Sequence, residues 1–383
     1  MTDNNKLYYS MFYAIVGDTI GFGNGLVEFN ENDNMIVRSN FEAKKHSFYT
    51  IYHIYNFISK GGYSGFTIDN LIASDDSILT LAVFDGVKSS LNKNTKDVIN
   101  NIKDKLIEYY EKDKLKDRRY YGNRTIKSLE RLINRNLDWK KFSYSENAGG
   151  CGASIRSMPI GLFYHGKENR DKLLEISIQS SRITHNNPTG YLGGFASALF
   201  TALAIEGVKP YFWIDELLSF FREGKIANFV KKEIGDKFKN ELKYHLQDID
   251  EFFYLLMKYK DWRFVELTKD KQYIFKPTKD GHKKSMIWLD IRNNLFYQYF
   301  NRPGYYNPGS NGFDSVIIAY DSILECEGSF EKLIYNAMLH AGDSDSTGCI
   351  AGALFGAYYG NVNIPKNLTQ IELKDELDNL INS

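Results

Sequence analysis

Two short clusters pair carboxylates with hydroxyls immediately ahead of an apolar run. Ser74-Asp75-Asp76-Ser77 precedes residues 78–84, and Gly342-Asp343-Ser344-Asp345-Ser346-Thr347 precedes a segment with glycine at every fourth position. One such cluster has a plain structural explanation, because Ser and Asp are preferred helix caps and acids in a first turn suit the helix dipole. Capping needs one side-chain acceptor, however, and each start offers two carboxylates as well as hydroxyls. At a non-helical cap the backbone can turn neighbouring side chains toward one point. Four carboxylates with Ser or Thr hydroxyls make an all-oxygen donor set, which suits hard divalent cations such as Mg2+ or Mn2+. Four negative charges gathered together repel one another unless a cation offsets them. The cation reading requires the two clusters to meet in the fold, which nothing local to either establishes.

Three further stretches bear on chemistry. Asn147-Ala148-Gly149-Gly150-Cys151-Gly152 is poor in side chains and leads toward Arg156 in what reads as a helix. Such a loop can offer backbone N–H groups and a helix N-terminus to phosphate, although an ordinary glycine turn is the commoner explanation. Thr184-His185-Asn186-Asn187-Pro188 precedes a second small-residue segment; a histidine there reads as a capping or core residue, or as a ligand contact. Glu28 stands between Val27 and Phe29 in glycine-rich surroundings, either as a surface acid on a turn or as part of a site.

The elements that would position these residues are helices. Gly348, Gly352, Gly356 and Gly360 fall four apart, as do Gly190, Gly194, Ala198 and Ala202; Gly17, Gly21 and Gly25; and Ala153, Ser157 and Gly161. On a helix each set forms a smooth stripe that lets a neighbour approach closely. Glycine inside a helix costs about 1 kcal/mol relative to alanine, so its repetition calls for a packing or ligand-approach reason. Amphipathic helices are expected outside this centre, for example over residues 95–110 and 213–221. Strand signals are scarce, the best being residues 272–275 or 285–289, either of which is a candidate for a short hairpin. Residues 189–205 carry no charge and approach the lower limit of a membrane span. Their Gly, Ala, Ser and Thr content and lack of a basic flank favour a buried core helix.

Composition narrows the class. The 383 residues are 43% hydrophobic and 25% charged, close to a globular average, and the 48 basic residues balance the 48 acidic ones. Nucleic-acid affinity rests largely on neutralising phosphates, so a neutral chain is a poor general nucleic-acid binder. The charged stretch 92–141 mixes both signs and reads as a solvated helical face. Cys151, Cys326 and Cys349 form no close pair and no zinc-type spacing, and the N-terminus lacks the pattern of a signal peptide. A cytoplasmic, soluble, monomeric protein is expected, with one all-α domain over residues 1–383.

Taken in order, these stretches resemble the ADP-ribosylglycohydrolase family, and within it the ADP-ribosylarginine hydrolase branch. The matching segments are GDTIGFGNGLVEF (17–29), SDDS (74–77), GGCGASIRSMPIGL (149–162), SRITHNNPTGYLGGFASALFTA (181–202), IAYDSIL (318–324) and AGDSDSTGCIAGALFGAYYG (341–360). The resemblance implies a compact orthogonal multi-helix fold with two divalent cations, Mg2+ or Mn2+, at the bottom of a cleft. It implies ADP-ribosylated protein as partner and cleavage of the N-glycosidic bond between ADP-ribose and protein arginine. By matching positions, Ser74, Asp75, Asp76, Asp343, Asp345 and Ser346 would hold the cations, and Glu28 would be an acid near them. Ala148, Gly149, Gly150, Cys151 and Gly152 would hold the diphosphate, with His185 near the ADP-ribose and Tyr305 and Tyr306 bordering the substrate. Ala341 stands where the family usually has glycine, and Ala148 where it has a more polar residue. Residues 103–141 and 264–301 depart from the family pattern.

The catalytic candidates on this reading are Asp75, Asp76 and Glu28; a carboxylate must take a proton from water, and Asp76 and Glu28 both qualify. Rival readings are a hydrolase of serine-linked ADP-ribose or of O-acetyl-ADP-ribose, a non-catalytic binder that masks a toxin or its modified target, and a two-metal phosphatase.

Overall fold

The computed structural model describes residues 4–28, 42–135, 138–235, 238–265, 274–275 and 307–383. The helices run α1 (Asn4–Phe22), α2 (Glu42–Ser59), the single turn α3 (Gly62–Gly65), α4 (Asp75–Lys88), α5 (Thr95–Lys112) and α6 (Asn123–Arg135). They continue as α7 (Met158–Phe163), α8 (Arg170–Arg182), α9 (Pro188–Ile205), α10 (Trp213–Arg222), α11 (Lys225–Ile234) and α12 (Lys239–Arg263). After them come α13 (Asp314–Cys326), α14 (Phe330–Ala337), α15 (Ser344–Tyr359) and α16 (Lys374–Asn382). Among the described residues the fold is helical but for one antiparallel two-residue ladder, β1 (Phe264–Val265) with β2 (Ile274–Phe275). Ile274 and Phe275 belong to the expected hairpin, but their partner precedes them at the end of α12. Residues 285–289 lie outside the described residues.

The glycine stripes bring α1 and α15 together. A Cβ on Gly352 would sit 1.9 Å from the Tyr13 carbonyl oxygen, one on Gly356 2.2 Å from that of Tyr9, and one on Gly17 2.1 Å from that of Gly348. Residue numbers rise on one helix as they fall on the other, so the pair is antiparallel and in backbone contact over its length. This register lays Gly21 against Ser344 at the acidic start of α15. Replacing Gly352 with Leu should cost about 3 kcal/mol or more, because neither backbone can yield without parting the central pair. Urea unfolding would measure it, and a loss under 1 kcal/mol would show that the contact is soft.

Two stripes end sooner than their spacing implies. Gly25 lies beyond α1 with φ of 77°, and Gly360 closes α15 with φ of 68°, so both are left-handed terminators and neither extends a stripe. Ala153, Ser157 and Gly161 do not share one helix: residues 151–153 form a 3-10 turn and α7 begins at Met158, with Pro159 in its first turn. Gly161 still works as expected, its Cβ position falling 2.0 Å from the Ala198 carbonyl oxygen on α9.

Helix α9 is long and apolar enough to cross a membrane, yet 94% of it is buried among its neighbours. It is the core helix expected from residues 189–205. The surface helices also follow the pattern. In α5 the inward stripe is Val98, Ile99, Ile102 and Leu106, and Asn94 caps the start by accepting from the Asp97 N–H. Its outer charges pair among themselves and with α4, Lys105 reaching Asp85 at 2.9 Å and Glu108 at 3.0 Å.

Candidate active site

The two acidic helix starts meet. Ser346 Oγ at the head of α15 donates to Asp76 Oδ2 at the head of α4 across 2.7 Å. Glu28, Asp343 and Asp345 bring one carboxylate oxygen each within 4.8 Å of one another, and the Ser74 side chain is close enough to Asp345 to favour its ionised form. Asp75, Asp76, Asp343, Asp345, Ser74 and Ser346 are all buried.

Capping does not account for these acids. At α4 the cap is Ser74, whose hydroxyl accepts from the Asp76 N–H at 3.1 Å, so neither aspartate is needed for it. At α15 Asp343 occupies the N-cap position and makes no side-chain cap bond. Its backbone is fixed from elsewhere: the Asp343 N–H donates to Pro308 O at 2.9 Å, and the Gly342 N–H donates to His340 Nδ1 at 3.1 Å. His340 Nε2 in turn lies 2.7 Å from Thr347 Oγ1, which ties the turn to the first coil of the helix.

Asp18 is a member that the sequence reading passed over. It is fully buried on α1, and its carboxylate accepts from the Ser74 N–H at 3.1 Å, from the Ser77 N–H at 3.1 Å and from the Ser77 hydroxyl. It thereby clamps the first turn of α4 onto α1. The available signal was a lone acid in an otherwise apolar helix, where only Lys6 near its start is also charged.

Crowding and burial set the electrostatics. Burial pushes Asp18 up to about 7, and the neighbouring Asp345 charge adds to the shift. Asp75, Asp76 and Glu28 are driven well above the usual carboxylate range by burial first and by Asp345 next, and Asp343 shifts the same way. Glu28 Oε2 is buried with no hydrogen-bond partner among the described residues. A buried acceptor without a donor is costly, and a divalent cation would satisfy it and reverse the repulsion. The donor set is oxygen throughout and fits a hard cation held by Asp75, Asp76, Asp343 and Asp345, with Ser74, Ser346 and Glu28 beside them.

The glycine loop borders this centre. Gly149 O accepts from the Gly312 N–H at 2.9 Å and the Cys151 N–H donates to Ser310 O at 3.1 Å, so the strand-like bridge Gly150–Asn311 anchors it. Ala148 is buried beside α9, where a Cβ on Gly190 would fall 2.6 Å from its carbonyl oxygen. Cys151 Sγ reaches Asp343 Oδ2 at 3.3 Å, joining loop to acids.

On its other side the loop lies on His185. A Cβ on Gly152 would come within 2.9 Å of His185 Cε1, and one on Gly150 within 3.6 Å of Nε2. Burial, with Arg156 and Arg124 nearby, holds His185 well below the usual imidazole range, so the ring is neutral at pH 7. Its Nδ1 is 2.6 Å from Thr184 Oγ1, which itself accepts from Arg156 Nη2 at 2.7 Å. Thr184 Oγ1 thus links the Arg156 guanidinium to the His185 ring, whose Nε2 edge faces the loop. The cap of α9 is Asn187, which accepts from the Thr189 N–H at 2.8 Å, so His185 is not the capping residue.

Arg156 corrects the expectation for this region. It sits in the turn between the 3-10 segment and α7, 1% exposed, with its guanidinium donating to the Gly152 carbonyl and to Thr184. It shapes the loop from beneath and does not lead a helix. Tyr305 and Tyr306 lie outside the described residues. The chain that follows them does abut the site, through Pro308 and through Gly309 against Asp343.

The ADP-ribosylglycohydrolase family model matches residues 4–383, and the chain belongs to that family. It is 35% identical to the putative ADP-ribosyl glycohydrolase L444 of Acanthamoeba polyphaga mimivirus, over 97% of this chain and 68% of the relative. To the ADP-ribosylhydrolase ARH1 of Dictyostelium discoideum it is 30% identical, over 97% of this chain and 91% of the relative. A solved structure described as an ADP-ribosylglycohydrolase-related protein complex shares the fold, with a TM-score of 0.54 and 18% identity over 99% of this chain and 96% of its own.

Proposed function

We propose that the protein removes ADP-ribose from mono-ADP-ribosylated arginine in proteins by hydrolysing the N-glycosidic bond, with two Mg2+ or Mn2+ ions in the acidic centre. The observation that carries this reading is the Ser346–Asp76 hydrogen bond, which joins the two acidic helix starts across 270 residues of sequence. Bound divalent cations would orient the ribose hydroxyls and acidify a water molecule. Asp75, Asp76, Asp343 and Asp345 would supply the ligand oxygens, with Ser74 and Ser346 completing the set.

Of the two acids that qualify as proton acceptor, Glu28 fits better. The Asp76 carboxylate already accepts a hydrogen bond from the Ser346 hydroxyl, whereas Glu28 Oε2 is buried and has no hydrogen-bond partner among the described residues. The loop at residues 148–152, with the Nε2 edge of His185 against it, would receive the diphosphate and so hold the ribose over the acids. Cys151, Cys326 and Cys349 are free thiols, which supports a reducing compartment such as the cytoplasm.

The test is release of ADP-ribose from arginine-modified and serine-modified protein, each with and without chelator. Release from the arginine substrate alone, lost with chelator, is the expected result. Preference for the serine substrate, or release that survives chelation, would overturn it.

A further inference from the structure

Behind the acidic centre lies a set of charges that takes no part in it. We propose that Arg119, clamped by Glu372 and Asp113, is a positioning residue that fixes residues 73–75 and thereby sets the cation affinity of the centre. The inference rests on the cation reading above.

Arg119 is 3% exposed. Its Nη1 donates to Ala73 O at 2.6 Å, both Nη atoms grip Glu372 at 3.0 and 2.7 Å, and Nε reaches Asp113 at 3.2 Å. Its own carbonyl oxygen accepts from the Asp75 N–H at 3.1 Å. Glu372 also takes the Ala73 N–H, at 3.0 Å, while Asp18 takes that of Ser74. Both backbone polar groups of Ala73 and the N–H groups of Ser74 and Asp75 are therefore held by partners outside α4. That pinned ribbon leads directly into the two aspartates of the helix start. Without it the segment entering the helix would lose every one of these backbone ties except the one from Asp18 to the Ser74 N–H.

The same segment reaches the approach to Glu28. Tyr120 adopts a left-handed φ of 57°, and its ring packs edge-on against Phe22 with centroids 5.4 Å apart. A Cβ on Gly25 would meet that ring at 2.7 Å, so Tyr120 backs the turn between α1 and Glu28. Tyr121 then donates to Asp113 at 3.0 Å, closing the wedge on itself. Arg119 does not face the centre; its outer side lines a cavity of about 650 Å3, together with Tyr109, Lys112, Leu115 and Leu373 and with none of the centre's acids. A guanidinium so placed acts through backbone, and its planar fork is what lets it hold a carboxylate and a carbonyl at once.

Partners that orient metal ligands typically carry 10–100-fold in metal affinity. Mn2+ titration followed by the electron paramagnetic resonance of the free ion reads this without turnover. Glu372→Gln and Arg119→Lys should each weaken Mn2+ binding about tenfold, and excess Mn2+ should restore the wild-type kcat. Glu206→Gln is the matched control: Glu206 makes a comparable two-pronged pair with Arg170, at 2.8 and 2.7 Å. That variant should lose stability yet bind Mn2+ as the wild type does. Wild-type affinity in both brace variants, or equal weakening in the control, would overturn the proposal. A wild-type protein that binds no Mn2+ would instead overturn the cation reading itself.

Discussion

Asp345→Asn should abolish ADP-ribose release and yet raise the melting temperature of the chelator-treated protein at pH 8. Asp345 is the most influential charge of the centre: after burial, it is the largest cause of the raised pKa values of Asp18, Asp75, Asp76, Glu28 and Asp343. A carboxyl whose pKa is higher folded than unfolded binds more protons in the folded state, so stability falls as pH rises between the two values. For Asp18 that window runs from 3.8 to about 7, so its share of the repulsion is largely present in the cation-free fold at pH 8. Asparagine removes the charge and keeps the Oδ1 acceptor that receives the Ser346 N–H at 2.8 Å. The gain should be larger at pH 8 than at pH 5, where protonation has already relieved part of the strain. Outer partners alone carry 10–100-fold in metal affinity, so losing a ligand should cut turnover by more than about 100-fold. Calorimetry in EDTA at the two pH values and an ADP-ribose release assay check both halves. A variant that stays active, or that loses stability equally at both pH values, would reduce Asp345 to a structural hydrogen-bonding residue.

What could be read beforehand was whatever is encoded locally. Glycines at every fourth position have few explanations besides close helix contact, and Tyr13 against Gly352 is that contact. Acids in excess of what a cap requires hinted at a site, and the bond from Ser346 to Asp76 supplies the meeting that local pattern could not. The misses follow from non-local determinants or from overlooked stop signals. Asp18 owes its role to Ser74 and Ser77, far along the chain, and a single acid makes no pattern. Arg119 sits among so many charges that its burial against Glu372 leaves no trace in composition. For Ala153, Ser157 and Gly161 the spacing looked continuous, but Pro159 disfavours helical backbone at Met158 less than it favours a new helix start there. The left-handed glycines at 25 and 360 mark ends for the same local reason.

Adding Mg2+ or Mn2+ to the chelated wild-type protein should restore ADP-ribose release from zero and raise its melting temperature. Cation and protons compete for the same oxygens, so the thermal shift should be larger at pH 8 than at pH 5. A ligand that binds only the folded state stabilises it by about 2.7 kcal/mol at a hundred times its Kd, provided the unfolded chain does not bind it. That condition holds here because the acids come from three distant segments, at Glu28, at residues 75–76 and at residues 343–345. The shift has a second source: the cation turns mutual repulsion among five or six buried carboxyls into shared attraction. Asp345→Asn should therefore lose most of the cation-induced shift while starting from a higher cation-free melting temperature, so the two proteins converge as cation is added. Scanning calorimetry of both proteins across a Mn2+ series would show the convergence. Parallel curves, or a wild-type melting temperature indifferent to cation at pH 8, would mean that the acids hold a proton network and no metal.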